Sequence, residues 1–269
     1  FFLVLVIFFV LGFIKEIIIV FVLVFLHELS HVIVAKIFNY NIYKVELFPF
    51  GGVAEYKGLL EMRPLNELLV AIAGPLFNLF LVIIFYFLNL NNYLGHLIIR
   101  YNLIIAIFNL IPILPLDGGR VMRSIIVKKY GFIIGTKISL RISQIVSSIA
   151  IIISIIILIF NKGNIWFLLI SFFIYGSLIK EKKQYIYNFV QYLSKVKIVE
   201  NDLKKKEISL HALNENNKLK EAIDCIIPGN YNIFYILNYN REITKIITEN
   251  KLIDYYFKTA KDSVKLGKL

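Results

Sequence analysis

Cysteine, histidine and charge are all scarce in this sequence. Its 269 residues include one cysteine, Cys225, and four histidines, and only 18% of them are charged. A single cysteine excludes an internal disulfide and a zinc site built from cysteines, so metal ligands must be histidine, aspartate or glutamate. No signal peptide is visible, and the chain opens on Phe1 without methionine. We therefore expect the first apolar segment to begin before Phe1.

Apolar residues are abundant instead: they make up 58% of the chain, and the mean hydropathy is +0.74. Soluble domains are usually about 45–50% apolar, so this composition indicates an integral membrane protein. The net charge is +12. Membrane proteins concentrate lysine and arginine in cytoplasmic loops, and no nucleic-acid recognition module accompanies the charge, so we expect no nucleic-acid partner.

The apolar residues form segments that predict an α-helical protein with about six transmembrane helices. The segments are residues 1–14, 17–38, 67–88, 97–127, 143–160 and 165–180. The fourth exceeds the roughly 20 residues of one span and contains Pro112, Pro115 and the pair Gly118-Gly119, so we predict a break at membrane depth. Lysine and arginine favour the second and fourth connections, which places both termini in the cytoplasm.

A short apolar stretch, residues 44–56, connects the second and third predicted spans. Its Pro-Phe-Gly-Gly sequence at 49–52 lies between two strand-like runs, which is typical of a tight β-hairpin. The stretch is too short to cross a membrane and too apolar for an ordinary loop, so we expect the hairpin to dip into the membrane. An extended substrate can pair with such a strand edge. We assign substrate binding to the residues at and after the turn: Phe50, Gly51, Gly52 and Val53.

The character of the sequence changes after Lys180. Residues 182–197 predict an interfacial helix or a linker. Beyond them the pattern predicts a small α+β module of about 70 residues. Its elements are strand 208–213, helix 218–227, strand 233–237, strand 243–248 and helix 252–259, with Cys225 as a core residue of the first helix. The predicted domains are therefore 1–181, 182–197 and 198–269.

The segment 17–38 contains the motif His27-Glu28-Leu29-Ser30-His31. On a helix His27 and His31 lie one turn apart on one face, so both imidazoles can bind one divalent ion, and Glu28 can take a proton from a water on that ion. An ionisable group at mid-bilayer costs about 2.5–3.5 kcal/mol on insertion scales, which a metal would compensate. The alternative is two interfacial histidines near a helix end.

A catalytic zinc ion needs a third protein ligand and an open position for water. His96 falls in a predicted external loop and His211 in the tail, and both are more simply surface residues. Asp117 lies at the predicted break, where irregular backbone must be buried in protein or line a cavity. Asp-Gly-Gly after proline is also a common turn, but with His27 and His31 the carboxylate makes a coherent zinc site.

The order and spacing of these motifs resemble the site-2 protease family of intramembrane metalloproteases, and within it the type called stage IV sporulation protein FB. The resemblance covers about residues 1–190. Its motifs are His27 to His31, the hairpin at 47–52, Arg63-Pro64-Leu65, Ala73-Gly74-Pro75 and the run from Asn109 to Arg120. The resemblance implies one zinc ion per chain.

What the family implies for individual residues follows from these motifs. The zinc ligands fall on His27, His31 and Asp117, and the catalytic glutamate falls on Glu28. The resemblance also implies that Asn109 lies beside the metal as a second catalytic residue. Asn78 is assigned to the same cleft for substrate binding, with helix packing as the alternative.

The tail resembles the single cystathionine-β-synthase (CBS) type module of this protease type, which implies ATP sensing and a homo-oligomer. The sequence departs from that pattern, because Thr248 is followed by Lys251 where an aspartate usually holds the ribose, and Lys245 replaces a common glycine. These departures count against ATP as a ligand.

The resemblance implies that the chain removes the propeptide of a membrane-associated pro-sigma factor during sporulation, in the mother-cell membrane around the forespore. It also implies an inhibitory membrane-protein complex. The nearest alternative is a housekeeping site-2 protease that cleaves anti-sigma factors or signal-peptide remnants. A metal or proton transporter is the alternative from another class, but the ionisable groups converge on one point and no inverted repeat is visible. A non-catalytic scaffold is a third alternative, which the intact Glu28 argues against.

Overall fold

The computed structural model describes most of the chain and is mainly helical. It describes residues 14–40, 42–48, 51–56, 63–88, 92–160, 165–198, 207–259 and 264–268. The predicted segment 1–14, apart from Ile14, lies outside these residues, and so does Phe50. The described residues form two compact units, one from within 1–59 and 66–121 and the other from within 60–65 and 122–269.

The first unit is built from long apolar helices and a short hairpin. Its elements are α1 (Ile14–Ile37), β1 (Ile42–Phe48), β2 (Gly51–Tyr56), most of α2 (Pro64–Phe87) and α3 (Tyr93–Asn109). α2 begins on Pro64, where the missing N–H would be unpaired in any case. α3 begins after Asn92, whose side chain accepts a hydrogen bond from the Gly95 N–H at 2.8 Å. These signals fix where the two helices start.

The predicted hairpin is present. β1 and β2 are antiparallel, and Phe48 pairs with Gly51 across the turn. The next pairs along the ladder are Leu47 with Gly52 and Glu46 with Val53. The depth of the hairpin in a membrane and its pairing with a substrate stay predictions.

The predicted break in the 97–127 segment is also present. α3 ends at Asn109, and α4 (Asp117–Tyr130) begins on Asp117. The intervening turn packs so closely on the start of α4 that a Cβ at Gly119 would lie 2.5 Å from the Ile113 carbonyl oxygen. Only glycine tolerates that approach of two backbones, which explains the Gly-Gly pair after Asp117.

The second unit contains a pair of long helices. α5 (Phe132–Phe160) packs against α6 (Ile165–Ile198), and the hydroxyls of Ser154 and Ser171 lie 2.8 Å apart between them. The predicted start of this span at residue 143 is wrong. The first three turns of α5 are amphipathic, with Lys137 and Arg141 exposed. Their opposite side carries small and polar residues that are buried: Gly135, Thr136, Ser139 and Ser143. A search for apolar runs does not detect such a face.

α6 continues through the lysine-rich sequence at 180–183 as one helix. Residues 182–197 are therefore helical, as one of the two sequence alternatives predicted, but they are not separated from the last apolar segment. Tyr185, Phe189 and Leu193 are buried at four-residue intervals, so one face of the helix remains packed beyond its apolar half. The domain boundaries at 181 and 197 stay predictions.

The tail folds in the predicted order of elements. Its elements are β3 (Ile208–Asn214), α7 (Leu219–Asp224), β4 (Tyr231–Leu237), β5 (Ile243–Thr248), α8 (Glu249–Thr259) and a 3₁₀ turn at Leu266–Lys268. β3 is parallel to β4, and β4 is antiparallel to β5. α7 is shorter than the predicted helix 218–227. Cys225 follows its last residue and is half-buried, so the prediction of a core cysteine within the helix is wrong.

Three helices in the described part of the chain are long and apolar enough to cross a membrane: Lys15–Ile37, Pro64–Phe87 and Phe132–Phe160. The prediction of about six spans is not confirmed. α3 is apolar but has only 17 residues, α4 carries several basic residues, and the charged sequence at 180–183 lies within α6. The apolar helices indicate an integral membrane protein.

Candidate metal centre

The motif histidines lie on the buried face of α1. His27 and His31 are each 2% exposed, and Leu23 and Ala35 continue the same buried stripe at four-residue intervals. The faces between them carry exposed apolar side chains, as expected for a helix in contact with lipid: Phe25, Leu29 and Ile33. The helical period therefore directs both imidazoles into the protein and leaves hydrocarbon outside.

The turn before α4 brings Asp117 to the two histidines. Its Oδ2 atom lies 3.0 Å from His27 Nε2 and 3.2 Å from His31 Nε2, and the two Nε2 atoms are 3.2 Å apart. The ligands of a tetrahedral zinc ion, each about 2.0–2.1 Å from the metal, are separated by about 3.3 Å. The structure thus brings the three predicted ligands into a triangle of the size that zinc requires.

The outer ring nitrogens show which atoms are available to a metal. His27 Nδ1 donates to Asn78 Oδ1 at 2.7 Å, and His31 Nδ1 donates to the main-chain oxygen of Val70 at 2.7 Å. Both oxygens only accept, so each Nδ1 carries a hydrogen and each Nε2 faces Asp117; in the neutral form of the ring, that Nε2 carries a lone pair. Two lone pairs and a carboxylate that converge within a buried site form a donor set for a divalent cation.

α2 makes room for these rings with a glycine. A Cβ built on Gly74 would lie 2.5 Å from His27 Nε2, 2.6 Å from its Cε1, and closer still to His31 Nε2. The sequence prediction did not include Gly74 among the site residues. Glycine inside a helix costs about 1 kcal/mol relative to alanine, so its place between Ala73 and Pro75 was the available signal of a close approach.

Two charged residues flank the ligands. Glu28 follows His27 directly on α1 and is partly exposed. Arg120 lies one turn after Asp117 on α4, and its Nη1 is 3.7 Å from Asp117 Oδ1, the carboxylate oxygen that does not face the histidines. Arg120 was not a predicted site residue, although its i,i+3 spacing from Asp117 is readable in the sequence.

The remaining predicted residues lie in different places. Asn78 is fully buried against His27. Asn109 is the last residue of α3, and its side-chain amide donates to the Ile105 carbonyl of the same helix at 3.0 Å. Gly51, Gly52 and Val53 open β2.

The two other histidines differ from their predicted settings. His96 is exposed, as predicted, but it lies within α3, because that helix begins at Tyr93, four residues before the predicted segment 97–127. His211 is not a plain surface residue. Its Nε2 donates to Asn232 Oδ1 at 3.0 Å, and its ring stacks on Phe234 with centroids 4.9 Å apart. Neither belongs to the cluster of His27, His31 and Asp117.

Sequence comparison relates this chain to known peptidases. It is 36% identical over 166 residues to a zinc metalloprotease of Methanocaldococcus jannaschii, an alignment that covers 59% of this chain and 46% of that protein. It is 34% identical over 137 residues to stage IV sporulation protein FB of Bacillus subtilis, which covers 49% and 47%. The chain therefore spans about half the length of these relatives.

This chain also matches a solved structure and the sequence model of a peptidase family. The solved site-2 protease from Methanocaldococcus jannaschii aligns with a TM-score of 0.48 and 37% identity over 61% of this chain and 76% of that one. The sequence model of peptidase family M50 matches residues 15–95 and 89–158, and so includes both histidines and Asp117. Because the two ranges matched by this family model together span more than half of the 269 residues, the chain belongs to peptidase family M50.

Proposed function

We propose that this chain is a zinc-dependent intramembrane endopeptidase that hydrolyses a peptide bond in a membrane-associated substrate. The observation that carries the proposal is the buried triangle of His27 Nε2, His31 Nε2 and Asp117 Oδ2, with edges of 3.0–3.2 Å. Glu28, which follows His27 on α1, would supply the proton-transfer group that peptide hydrolysis needs.

His27, His31 and Asp117 would hold one zinc ion. That ion supplies Lewis acidity and lowers the pKa of water toward about 7 when bound. Glu28 would accept the proton of the attacking water and deliver it to the leaving amine, which joins general base and general acid catalysis in one side chain. Arg120, whose Nη1 lies 3.7 Å from Asp117 Oδ1, would keep positive charge beside the outer oxygen of the ligand carboxylate.

The substrate would bind in an extended form. A helical amide is protected by its own hydrogen bonds, so the cleaved segment must unwind before it reacts. The β1–β2 hairpin has outer strand edges that can pair with such a segment, with Gly51, Gly52 and Val53 nearest its turn. Asn109 remains proposed as a residue that contacts the scissile carbonyl, which requires its amide to leave the Ile105 carbonyl.

The substrate class is proposed to be a pro-sigma factor processed during sporulation. The similarity to stage IV sporulation protein FB supports this choice over a housekeeping peptidase for anti-sigma factors or signal-peptide remnants. With it we propose cytoplasmic termini, a location in the mother-cell membrane around the forespore, and an inhibitory membrane-protein partner. The β-α-β-β-α order of residues 208–259 supports a CBS-like module, and we propose that this module mediates a homo-oligomer.

The proposal is tested by co-expressing the chain with a pro-sigma factor substrate and measuring cleavage and zinc content. Glu28→Gln should keep zinc and lose cleavage. Glu16→Gln is the matched control, because it makes the same change on α1 at a side chain that accepts from Tyr93 at 3.0 Å, an interaction glutamine can retain. Cleavage by Glu28→Gln would refute the mechanism, and metal transport without cleavage by the wild type would favour the transporter.

A further inference from the structure

A chain of side-chain hydrogen bonds leads away from His27 through three helices. His27 Nδ1 on α1 donates to Asn78 Oδ1 on α2 at 2.7 Å, and Asn78 Nδ2 donates to Asn102 Oδ1 on α3 at 3.0 Å. Asn102 Nδ2 in turn donates to the main-chain oxygen of Ile98 at 2.9 Å. This series of hydrogen bonds therefore ends on a main-chain oxygen, which remains an acceptor whatever side chain is substituted.

The direction of every bond follows from that last acceptor. The Ile98 oxygen can only accept, so the amide nitrogen of Asn102 must face it and the Asn102 oxygen must face Asn78. The Asn78 nitrogen then points to Asn102, and the Asn78 oxygen points to His27. His27 must consequently carry its hydrogen on Nδ1 and present Nε2 to Asp117. Each amide orientation is thus determined by the network itself.

Burial makes this direction firm. Asn78 and Asn102 are both fully buried, so water does not compete for their amide groups. A buried amide without a partner costs about 1–3 kcal/mol, so a flipped amide that loses two bonds is strongly disfavoured. His31 differs, because its Nδ1 donates to the main-chain oxygen of Val70. Only the orientation of His27 therefore depends on side chains.

The spacing along α2 explains how both histidines are served by one helix. Val70, Gly74 and Asn78 are buried at four-residue intervals and face the two histidines, which have the same interval on α1. Val70 accepts from one ring, Gly74 gives both rings space, and Asn78 accepts from the other ring. The Asn78 amide thus lies where it can accept from His27 Nδ1 and so orient the imidazole ring.

We propose that Asn78 and Asn102 form a positioning relay that fixes which nitrogen of His27 faces the metal, and so sets the zinc affinity of the site. This inference rests on the zinc site of the proposed function. It assigns Asn78 to orienting a metal ligand instead of binding the substrate, and it adds Asn102, a fully buried amide on α3. Partners of this kind typically contribute 10–100-fold in metal affinity.

The test measures zinc affinity of the full chain in detergent by chelator competition, with the visible spectrum of the cobalt-substituted protein as a second readout. Asn78→Leu removes the acceptor and should weaken zinc binding by about 10–100-fold, with a changed cobalt spectrum. Asn78→Asp keeps an acceptor and should restore affinity to within about threefold of the wild type. Asn102→Leu should weaken zinc binding less than Asn78→Leu, because the Asn78 amide remains and loses only the hydrogen bond that fixes its orientation.

Coupling and control variants separate a relay from packing. The double variant of Asn78→Leu and Asn102→Leu should bind zinc no more weakly than Asn78→Leu alone, because the second residue acts only through the first. Ser154→Ala removes an equally buried hydrogen bond between α5 and α6 and should leave zinc affinity unchanged. Should Asn78→Leu not fold, Asn78→Ser, whose hydroxyl is too short to reach His27, replaces it.

Each outcome has a distinct meaning. Wild-type zinc affinity in Asn78→Leu, or in Asn78→Ser where that variant replaces it, would overturn the relay and leave the proposed peptidase intact. Additive losses in the double variant would do the same. The expected affinity losses in a protein that cleaves nothing would support the relay and overturn the proposed function. A wild-type chain that binds no zinc would overturn both.

Discussion

A methyl group at Gly74 would be placed directly against the two histidines of the metal centre. Its carbon would lie 2.5 Å from His27 Nε2, whereas ordinary contact begins near 3.4 Å. The ring must therefore retreat by about 0.9 Å, and the His31 ring, which the methyl group approaches even more closely, must also move. Gly74→Ala thus displaces both nitrogen ligands at once.

The magnitude of the effect follows from the tolerance of metal sites. Metal–ligand distances hold to within about 0.2 Å, so a shift near 0.9 Å is several times too large. A misplacement of about 1 Å in a catalytic group can cost on the order of 100-fold in rate, and we expect at least that loss in zinc affinity. The free energy of unfolding should fall by only about 0–2 kcal/mol, because overpacking costs about 1–3 kcal/mol while alanine regains about 1 kcal/mol of helix propensity.

The assay compares zinc content, zinc affinity and thermal stability of Gly74→Ala with those of Gly176→Ala. Gly176 lies within α6, and a Cβ there would meet nothing within 4 Å, so it makes the same change in a helix without the clash. Gly176→Ala should keep zinc and gain up to about 1 kcal/mol of stability. Wild-type zinc affinity in Gly74→Ala would refute the close approach of α2 to the histidines.

Two further predictions concern the second unit. Burial, followed by the negative charges of Asp224 and Glu221, raises the pKa of the Cys225 thiol above its usual value. The thiolate is the reactive form, so Cys225 in the folded chain should be alkylated more slowly near pH 8 than in the urea-unfolded chain. The rate for the folded chain should rise at higher pH, and equal rates near pH 8 would contradict the raised pKa. Arg123 is buried and its Nη1 lies 3.0 Å from Glu181 Oε1, whose side chain is 31% exposed. Glu181→Gln removes the negative charge beside a buried cation, so thermal unfolding should show a loss of about 2–3 kcal/mol. That loss should exceed the loss in Arg123→Met, which leaves a carboxylate that water can reach; the reverse order would count against the ion pair.

Much of the site could be predicted because its signals are local. Two histidines four residues apart on an apolar helix must share a face. An aspartate that follows two prolines within the apolar segment 97–127 marks a break in that segment. The pairing of these two distant motifs was inferred from the need for a third ligand. The tail was predictable for a similar reason, since its strands and helices alternate with short polar turns.

What the sequence did not reveal depends on contacts between helices. The role of Asn78 could be predicted only if α2 were known to lie against α1 with position 78 opposite His27. The role of Asn102 could be predicted only if α3 were known to lie beside α2. The early start of α5 was missed because small and polar residues make up much of its packed face and interrupt the larger apolar ones, Phe132, Ile133 and Leu140. The continuity of α6 was missed because its charged turn at 180–183 resembles the end of a membrane span.

The most direct measurement is the zinc content and metal environment of the purified chain, by elemental analysis and X-ray absorption, in the wild type and in Asp117→Ala. The structure predicts one zinc ion per wild-type chain with two imidazole nitrogens and a carboxylate oxygen at about 2.0–2.2 Å. In Asp117→Ala it predicts a loss of zinc, or retention with the protein oxygen replaced. A wild-type chain without bound metal, or with a shell that Asp117→Ala leaves unchanged, would contradict the three-ligand centre on which the account depends.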